Sequence, residues 1–219
     1  MYPGGVVEKI WLQSYEAGVP AEIGLSDYQS LVDLFEKSLA RFPDRTAFIC
    51  MGAKITYRQL DRLSRDFAAY LQSVLGLPRG ERIAIMLPNV LQYPVCLLGA
   101  LRGGYVVVNC NPLYKARELE YQLRDCEATT IVILENFAHT LEQVIAHCPV
   151  KHIVMARLGD MLGLKGPIVN LVVKYVKRVV PSWRLQNVEH FRHAMARGAR
   201  GGIHSACNRA ERPRFPAIH

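Results

Sequence analysis

The sequence predicts an α/β protein built on a parallel sheet, and three observations carry that prediction. From residue 82 onward, short runs that are almost wholly apolar, RIAIML, TIVIL and HIVM, alternate with segments of helical periodicity. That βαβα order is the pattern of parallel strands joined by right-handed crossovers. The runs lack the in-out alternation of a half-exposed strand, so each should be covered on both faces. Residues 86–123, MLPNVLQYPVCLLGALRGGYVVVNCNPLYKARELEYQL, also fit strand end, helix, strand, loop and helix into 38 positions, a compact crossover unit. With 219 residues, 50% of them apolar, the chain is long enough to bury a core.

Taken in order, residues 1–28 are mixed, with Trp11, Tyr15 and several glycines and prolines, and read as an arm packed on something else. Ser30 and Asp33 form an S-x-x-D cap. Leu31, Leu34, Phe35, Leu39 and Phe42 then recur at helical spacing until Pro43 stops the helix. Residues 46–51 and 54–57 make a short hairpin around Gly52. Thr56 caps a second helix with Gln59 three residues on, and Leu60, Leu63, Phe67, Tyr70 and Leu71 form its inner face. After the turn-rich GLPRG come a strand at 82–87, a helix at 90–102, a strand at 105–109 and a helix at 116–126. A strand at 130–134, a helix at 137–147 and a strand at 152–155 complete the series. Gly103 and Gly104 should permit close helix-to-strand packing. Asn109 and Asn111 should cap backbone groups in the tight loop that follows the second parallel strand.

Residues 161–181, MLGLKGPIVNLVVKYVKRVVP, differ from the rest. The longest stretch without a charge has eight residues, against the ~20 needed to span a bilayer. Centring Lys174, Lys177 and Arg178 in hydrocarbon would cost about 2.5–3.5 kcal/mol each. The three cations fall on one side of a helix whose other side carries Val169, Val172, Val173, Val176 and Val179. That pattern suits either a helix covering its own domain or one lying in a membrane interface.

The net charge of +8 does not make a nucleic-acid footprint. Residues 1–150 hold 14 basic and 16 acidic side chains, residues 151–200 hold 10 and 2, and the last 19 hold 3 and 1. The basicity is therefore local, and nucleic acid is not an expected partner. Six cysteines without a CxxC pair exclude a zinc ribbon or disulfide framework and suit a reducing cytosol. The start of the chain lacks the charged, apolar and cleavage regions of a signal peptide. No GxxxxGK[ST], strand-borne GxGxxG or GxSxG occurs. His190 and His193 could share a metal, but two histidines three apart more often mark a solvated helix face. The residues alone thus reach an α/β domain with a basic amphipathic appendage, and no chemistry.

SLVDLFEKSLARFPDRTAFICMGAKITYRQLDRLSRDFAAYL and GERIAIMLPNVLQYPVCLLGALRGGYVVVNCNPLYKARELEYQLRDCEA closely resemble the start of bacterial long-chain acyl-CoA synthetases, members of the adenylate-forming superfamily. The resemblance rests on ITYRQL, MLPN and NPLYKARELEYQL, where the family typically has NPLYTARELEHQL. The basic segment resembles the region after the third crossover of the long-chain subgroup. The resemblance implies the fold class: α/β, an incomplete N-terminal domain of an adenylate-forming enzyme with parallel βαβ crossovers, covering residues 1–201. It implies a reaction in which a fatty acid and ATP, with magnesium, give an acyl-adenylate that coenzyme A then converts to the thioester. The family's phosphate loop (YTGGTTG), its later acidic motifs and its C-terminal lysine have no counterpart in these 219 residues. No catalytic, cofactor-binding or metal-binding residue is therefore assigned.

After Gly201 the family would continue toward AFTP and DLAFLQYTGGTTG, whereas this chain reads GIHSACNRAERPRFPAIH. Permitted codons for residues 202–219, read one base later, give AFTPPATERSDLAFLQY. The expectation is an out-of-frame, disordered tail at 202–219 and a truncated ligase that is inactive alone, with apolar surface and strand edges left uncovered. The competing expectation is a non-catalytic membrane-surface or interaction module using the basic helix near 165–180. There Lys165, Lys174, Lys177 and Arg178 would meet anionic lipid at about 1 kcal/mol per cation. The expected location is cytoplasmic, or peripheral on the inner membrane.

Overall fold

The computed structural model describes residues 8–22 and 28–201. Seven strands and seven α-helices run β1 (Thr46–Cys50), β2 (Ala53–Thr56), β3 (Arg82–Met86), β4 (Val106–Asn109), β5 (Thr130–Leu134), β6 (His152–Ala156) and β7 (Val188–His190). The helices are α1 (Leu31–Arg41), α2 (Tyr57–Ala69), α3 (Gln92–Arg102), α4 (Ala116–Asp125), α5 (Ala138–Glu142), α6 (Gly166–Leu171) and α7 (Phe191–Gly201). β1 and β2 form an antiparallel hairpin. Its two-residue turn holds Met51 at φ 48° and Gly52 at φ +79°, the doubly positive geometry that matches strand twist in the tightest hairpins. The other five strands form one sheet in the order β4-β3-β5-β6-β7, parallel throughout.

Alternate residues of each central strand feed two separate cores. Ile83, Ile85, Val132, Leu134, Val154 and Ala156 meet α2, α3 and α7 on one face. Ala84, Met86, Ile131, Ile133, Ile153 and Met155 meet α4 and α5 on the other. This three-layer arrangement explains why the strands read as unbroken apolar runs: β5 is buried at all five positions. β4 forms one sheet edge, with Val106 46% exposed.

The caps read from sequence are present. The Ser30 hydroxyl accepts from the Asp33 backbone N–H at 3.1 Å. Thr56 and Gln59 exchange side-chain and backbone hydrogen bonds at 3.2 and 2.9 Å, a complete capping box. In the loop after β4, the Asn111 side chain accepts from the Leu113 N–H at 3.0 Å, whereas the Asn109 amide oxygen accepts from the Tyr93 hydroxyl of α3 at 3.2 Å, a side chain rather than the expected backbone group. Gly103 packs under the Tyr105 ring, where a Cβ would clash.

Three expectations change. The single helix over 137–147 is broken. α5 ends at Glu142, and Val144 and His147 bond back three residues, to Leu141 and Val144, which tightens the chain into 3₁₀ turns ahead of Pro149. Residues 188–201, given no element from sequence, supply the fifth parallel strand and a helix whose Phe191, Ala194, Met195 and Gly198 are buried. Gly198 sits so close to the Asp66 carbonyl of α2 that any Cβ would collide with it. None of residues 8–22 is buried, and Trp11 is 48% exposed. His190 ends β7 while His193 lies on α7, so the two do not share one helix face. The 202–219 tail lies outside the described residues.

The basic segment departs from its expected amphipathicity. It is a helical run of three short pieces: a 3₁₀ turn (Gly163–Lys165), α6, and a wider π turn (Val172–Val176). Arg178 then adopts φ 50°, which ends the helix. Val169, Val172 and Val173 are half-buried, but Val176 and Val179 are exposed. Lys174 turns toward the body rather than away from it. No helix among the described residues is long and apolar enough to cross a membrane.

Candidate functional site at the carboxyl edge of the sheet

In an open parallel sheet, ligands bind beyond the carboxyl ends of the strands where successive connections run to opposite sides. Here that point falls between β3, whose connection runs out to β4, and β5, whose connection runs the other way to β6. Polar side chains begin immediately past those strand ends: Gln92 at the start of α3, Glu135 directly after β5, Arg157 directly after β6, and His190 closing β7. Each is placed by the strand or helix before it, because the apolar run must stop where the sheet stops being covered.

Glu135 is 5% exposed and is neutralised from two sides. Arg157 Nε lies 3.2 Å from one carboxylate oxygen, and Lys174 Nζ lies 3.2 Å from the other. The buried Gln92 amide donates to the Arg157 carbonyl at 2.8 Å, joining α3 to the β6 end. Asp160 accepts the Arg157 backbone N–H at 2.8 Å. Burial pushes the Asp160 carboxyl above its ordinary value, against the pull of Arg157 and Arg192. Burial, then the charge of Arg157, lowers the His190 pKa, so its imidazole is neutral at pH 7. The cluster therefore sets two cations, Arg157 and Lys174, beside two carboxyl groups, Glu135 and Asp160, and a neutral imidazole. It is suited to holding the strand ends in place, and it contains no nucleophile paired with a base. Cys96 and Cys110 are not substitutes: burial raises both thiols, Cys110 to about 12.

The sequence-derived candidates scatter relative to this edge. Lys174 joins it through Glu135. Lys165 lines a separate groove with Met51, Leu164 and Val169, and Lys177 and Arg178 are exposed at the end of the run. None of these last three has an ion-pair partner among the described residues. Gln92, Glu135, Arg157 and Asp160 were not singled out from sequence, and His190 was named only with His193 as a possible metal pair. For Glu135 and Arg157 a signal was available: each is the first residue after an apolar parallel strand. His193 lies 3.8 Å from Glu189, and no group of three or more metal-ligating side chains occurs among the described residues.

The three-layer sheet and its polar carboxyl edge define the class. The model of the family described as "AMP-binding enzyme" matches residues 35–174, which is most of the described body, and the chain belongs to that family. Among individual relatives, a long-chain-fatty-acid–CoA ligase of Escherichia coli O6:H1 is 54% identical over 195 residues. That match takes in 89% of this chain and 35% of the relative. The corresponding ligase of Haemophilus influenzae is 48% identical over 193 residues, 88% of this chain and 34% of its own. This chain thus spans about a third of the length of these relatives. Among solved structures, an anthranilate CoA ligase in complex with anthranoyl-AMP aligns with TM-score 0.57 and 26% identity, covering 60% of this chain and 26% of that one. A long-chain-fatty-acid-CoA ligase from Archaeoglobus fulgidus aligns with TM-score 0.56 at 24% identity, over 64% and 29% of the two chains. That second likeness bears on fold alone.

Proposed function

We propose that residues 1–201 are the leading part of the N-terminal domain of a long-chain fatty acid–CoA ligase, with a fatty acid and coenzyme A as the substrates of the complete enzyme. The observation that carries this reading is the 54% identity sustained over 195 residues to a ligase of that name. The family as a whole implies use of ATP, magnesium and coenzyme A. The residues described here do not fit the nucleotide–metal part of that chemistry. Glu135 is already bracketed by two cations, and no cluster of metal-ligating side chains stands near it among the described residues. Under this reading the present residues build the sheet against which such a site is assembled, and no step is routed through them. The 219-residue chain alone is then inactive.

A chimera tests the assignment. Residues 8–200 replace the matching segment of the Escherichia coli ligase, and palmitoyl-CoA formation from palmitate, ATP and coenzyme A is measured. Turnover close to that of the parent supports the assignment. A folded chimera that has lost palmitate but accepts a short or aromatic acid overturns it. The unfused chain should give no palmitoyl-CoA above the blank, and measurable product would overturn the inactivity. The cytoplasmic location, peripheral on the inner membrane, belongs to the same proposal, and the 163–179 run supplies the specific observation that favours a membrane surface.

A further inference from the structure

The outer face of α4 carries a charge pattern that is its own complement. About Tyr121 as centre, Lys115 and Glu127 stand six positions to either side, Arg117 and Asp125 four, and Glu118 and Arg124 three. Each of these pairs sets a cation against an anion, and only Glu120 answers a neutral residue, Gln122. Leu119 and Leu123 are buried on the inner side of the helix, whereas Arg117, Glu118, Tyr121, Arg124 and Asp125 are all exposed. Residues seven apart share a helix face, so Arg117 with Arg124 and Glu118 with Asp125 flank Tyr121 in one stripe. Tyr121 is 74% exposed and, with Arg117 and Asp125, lines two adjoining grooves of about 620 and 840 Å³. Within the helix Arg117 and Asp125 gain little. A cation in the first turn and an anion in the last oppose the helix dipole, and neither residue has an ion-pair partner among the described residues. Glu118 accepts the Lys115 N–H through one carboxylate oxygen at 2.9 Å.

We propose that α4 is a self-association surface, on which a second copy of this chain lays its own α4 antiparallel about a two-fold axis at Tyr121. An axis there brings each position before Tyr121 onto the position equally far after it in the other copy. Arg117 then faces Asp125 of the second copy and Glu118 faces its Arg124. The symmetry repeats both contacts, which gives four ion pairs of matched sign from a single helix. Each Tyr121 lies in the grooves beside the other. The charge pattern selects this occupant. A parallel docking would set each charge against its own like, and a partner of one charge sign meets a stripe of two exposed cations and two exposed anions. Antisymmetry about one residue is what a two-fold contact of a face with itself requires. A helix pair about 15 Å long buries less than the ~1,200 Å² of a standard stable interface, so the dimer is weak, half-formed at on the order of 100 μM. The proposal stands on these charges and exposures and does not depend on the ligase assignment.

The test is sedimentation velocity of the full 219-residue chain from about 5 to about 500 μM, at low and high salt. A concentration-dependent dimer that weakens with salt is expected. Arg117→Glu opposes two pairs in each dimer and should weaken association at least about tenfold. The double variant Arg117→Glu, Asp125→Arg restores matched signs and should return the dissociation constant to within about threefold of the parent. Positions 117 and 125 lie two turns apart on one helix, beyond the reach of an intrahelical pair, so that rescue arises only across the interface. Tyr121→Ala should weaken association about tenfold or more. The control Lys151→Glu, an exposed cation before β6, should associate as the parent does. Circular dichroism and urea melts show whether each variant has kept its fold. A monomer at every concentration, a dimer that tolerates Arg117→Glu, or a folded double variant that fails to recover overturns the proposal. So does a dimer indifferent to Tyr121→Ala, which would place the contact on another face.

Discussion

Helix α2 and the 163–176 run are both amphipathic in sequence, yet they bury opposite sides. In α2, Leu60, Phe67 and the following Tyr70 and Leu71 are at most 1% exposed, and the charged face, with Arg58 and Arg65, looks outward to pair with Asp44 and Asp61. In the later run Leu164, Ile168, Leu171 and Tyr175 look outward, each more than half exposed, while Asn170 accepts the Gly159 N–H and Lys174 pairs with Glu135. The difference shows that an apolar periodicity sets which residues share a face, whereas the direction of that face depends on what the rest of the chain offers. α2 is offered α3 and α7. The later run is offered a buried carboxylate, Glu135, that needs a cation more than it needs a methyl group.

The sharpest way to break this contrast is to truncate a side chain of the same kind in each region. Phe67→Ala removes a ring with no solvent exposure from the α2–α3 contact and should cost about 3–5 kcal/mol, measured by urea unfolding. Gly198→Val forces a side chain into the Asp66 carbonyl at the α2–α7 crossing. It should cost about 1–3 kcal/mol, with loss of helical signal as α7 lifts.

Charge gives an intermediate and pH-dependent pair. Burial pushes the Asp61 carboxyl up, but hydrogen bonds from Arg102 and Arg65 outweigh it and hold its pKa below 3.8. Its stability contribution is therefore full above pH 3.8 and lost as pH falls through the lower folded value. Asp61→Asn leaves the buried Arg102, 7% exposed, with only the longer Glu36 contact at 3.7 Å and should cost about 1–2 kcal/mol at pH 7, the deficit shrinking in acid. Asp160 has the opposite sign. Its folded pKa is raised above 3.8 by burial, so the folded state favours the protonated form and ionisation removes stability as pH rises through that range. Asp160→Asn keeps an acceptor for the Arg157 N–H and should be neutral or slightly stabilising at pH 7, with the gain disappearing below pH 3.8. Unfolding curves across pH check both variants. The smallest effect belongs to the outward stripe: Leu171→Ala should change stability by no more than about 0.5 kcal/mol.

Much of the first region was legible because its signals are local. Ser30 with Asp33, and Thr56 with Gln59, are caps whose partners lie three residues away, and the strands β3, β5 and β6 announce themselves as apolar runs. The break in the 137–147 helix was not legible. Leu141 and Val144 both reach the core there, and tertiary docking favours the tighter three-residue return over a continuous α-helix. β7 has three residues and takes its place only by pairing with Ile153, Val154 and Met155. α7 did carry a readable pattern in Phe191, Ala194, Met195 and Gly198. The carboxyl-edge cluster was hidden because Gln92, Glu135, Arg157, Asp160 and His190 are spread over about 100 positions and meet only once the strand order is known. Lys174 was recognised as one of a cationic set, but its role differs from that of its neighbours because Glu135 lies 39 residues earlier.

Hydrogen exchange of the full chain and of its Lys174→Met variant tests the central contrast most directly. Replacing the cation by an apolar side chain should speed exchange across residues 163–179, and should leave the amides of α2 and β3 little changed, because those are protected by the core. Equal exchange in the two proteins across 163–179, or a loss of protection larger in α2 or the sheet than in that run, would contradict the account.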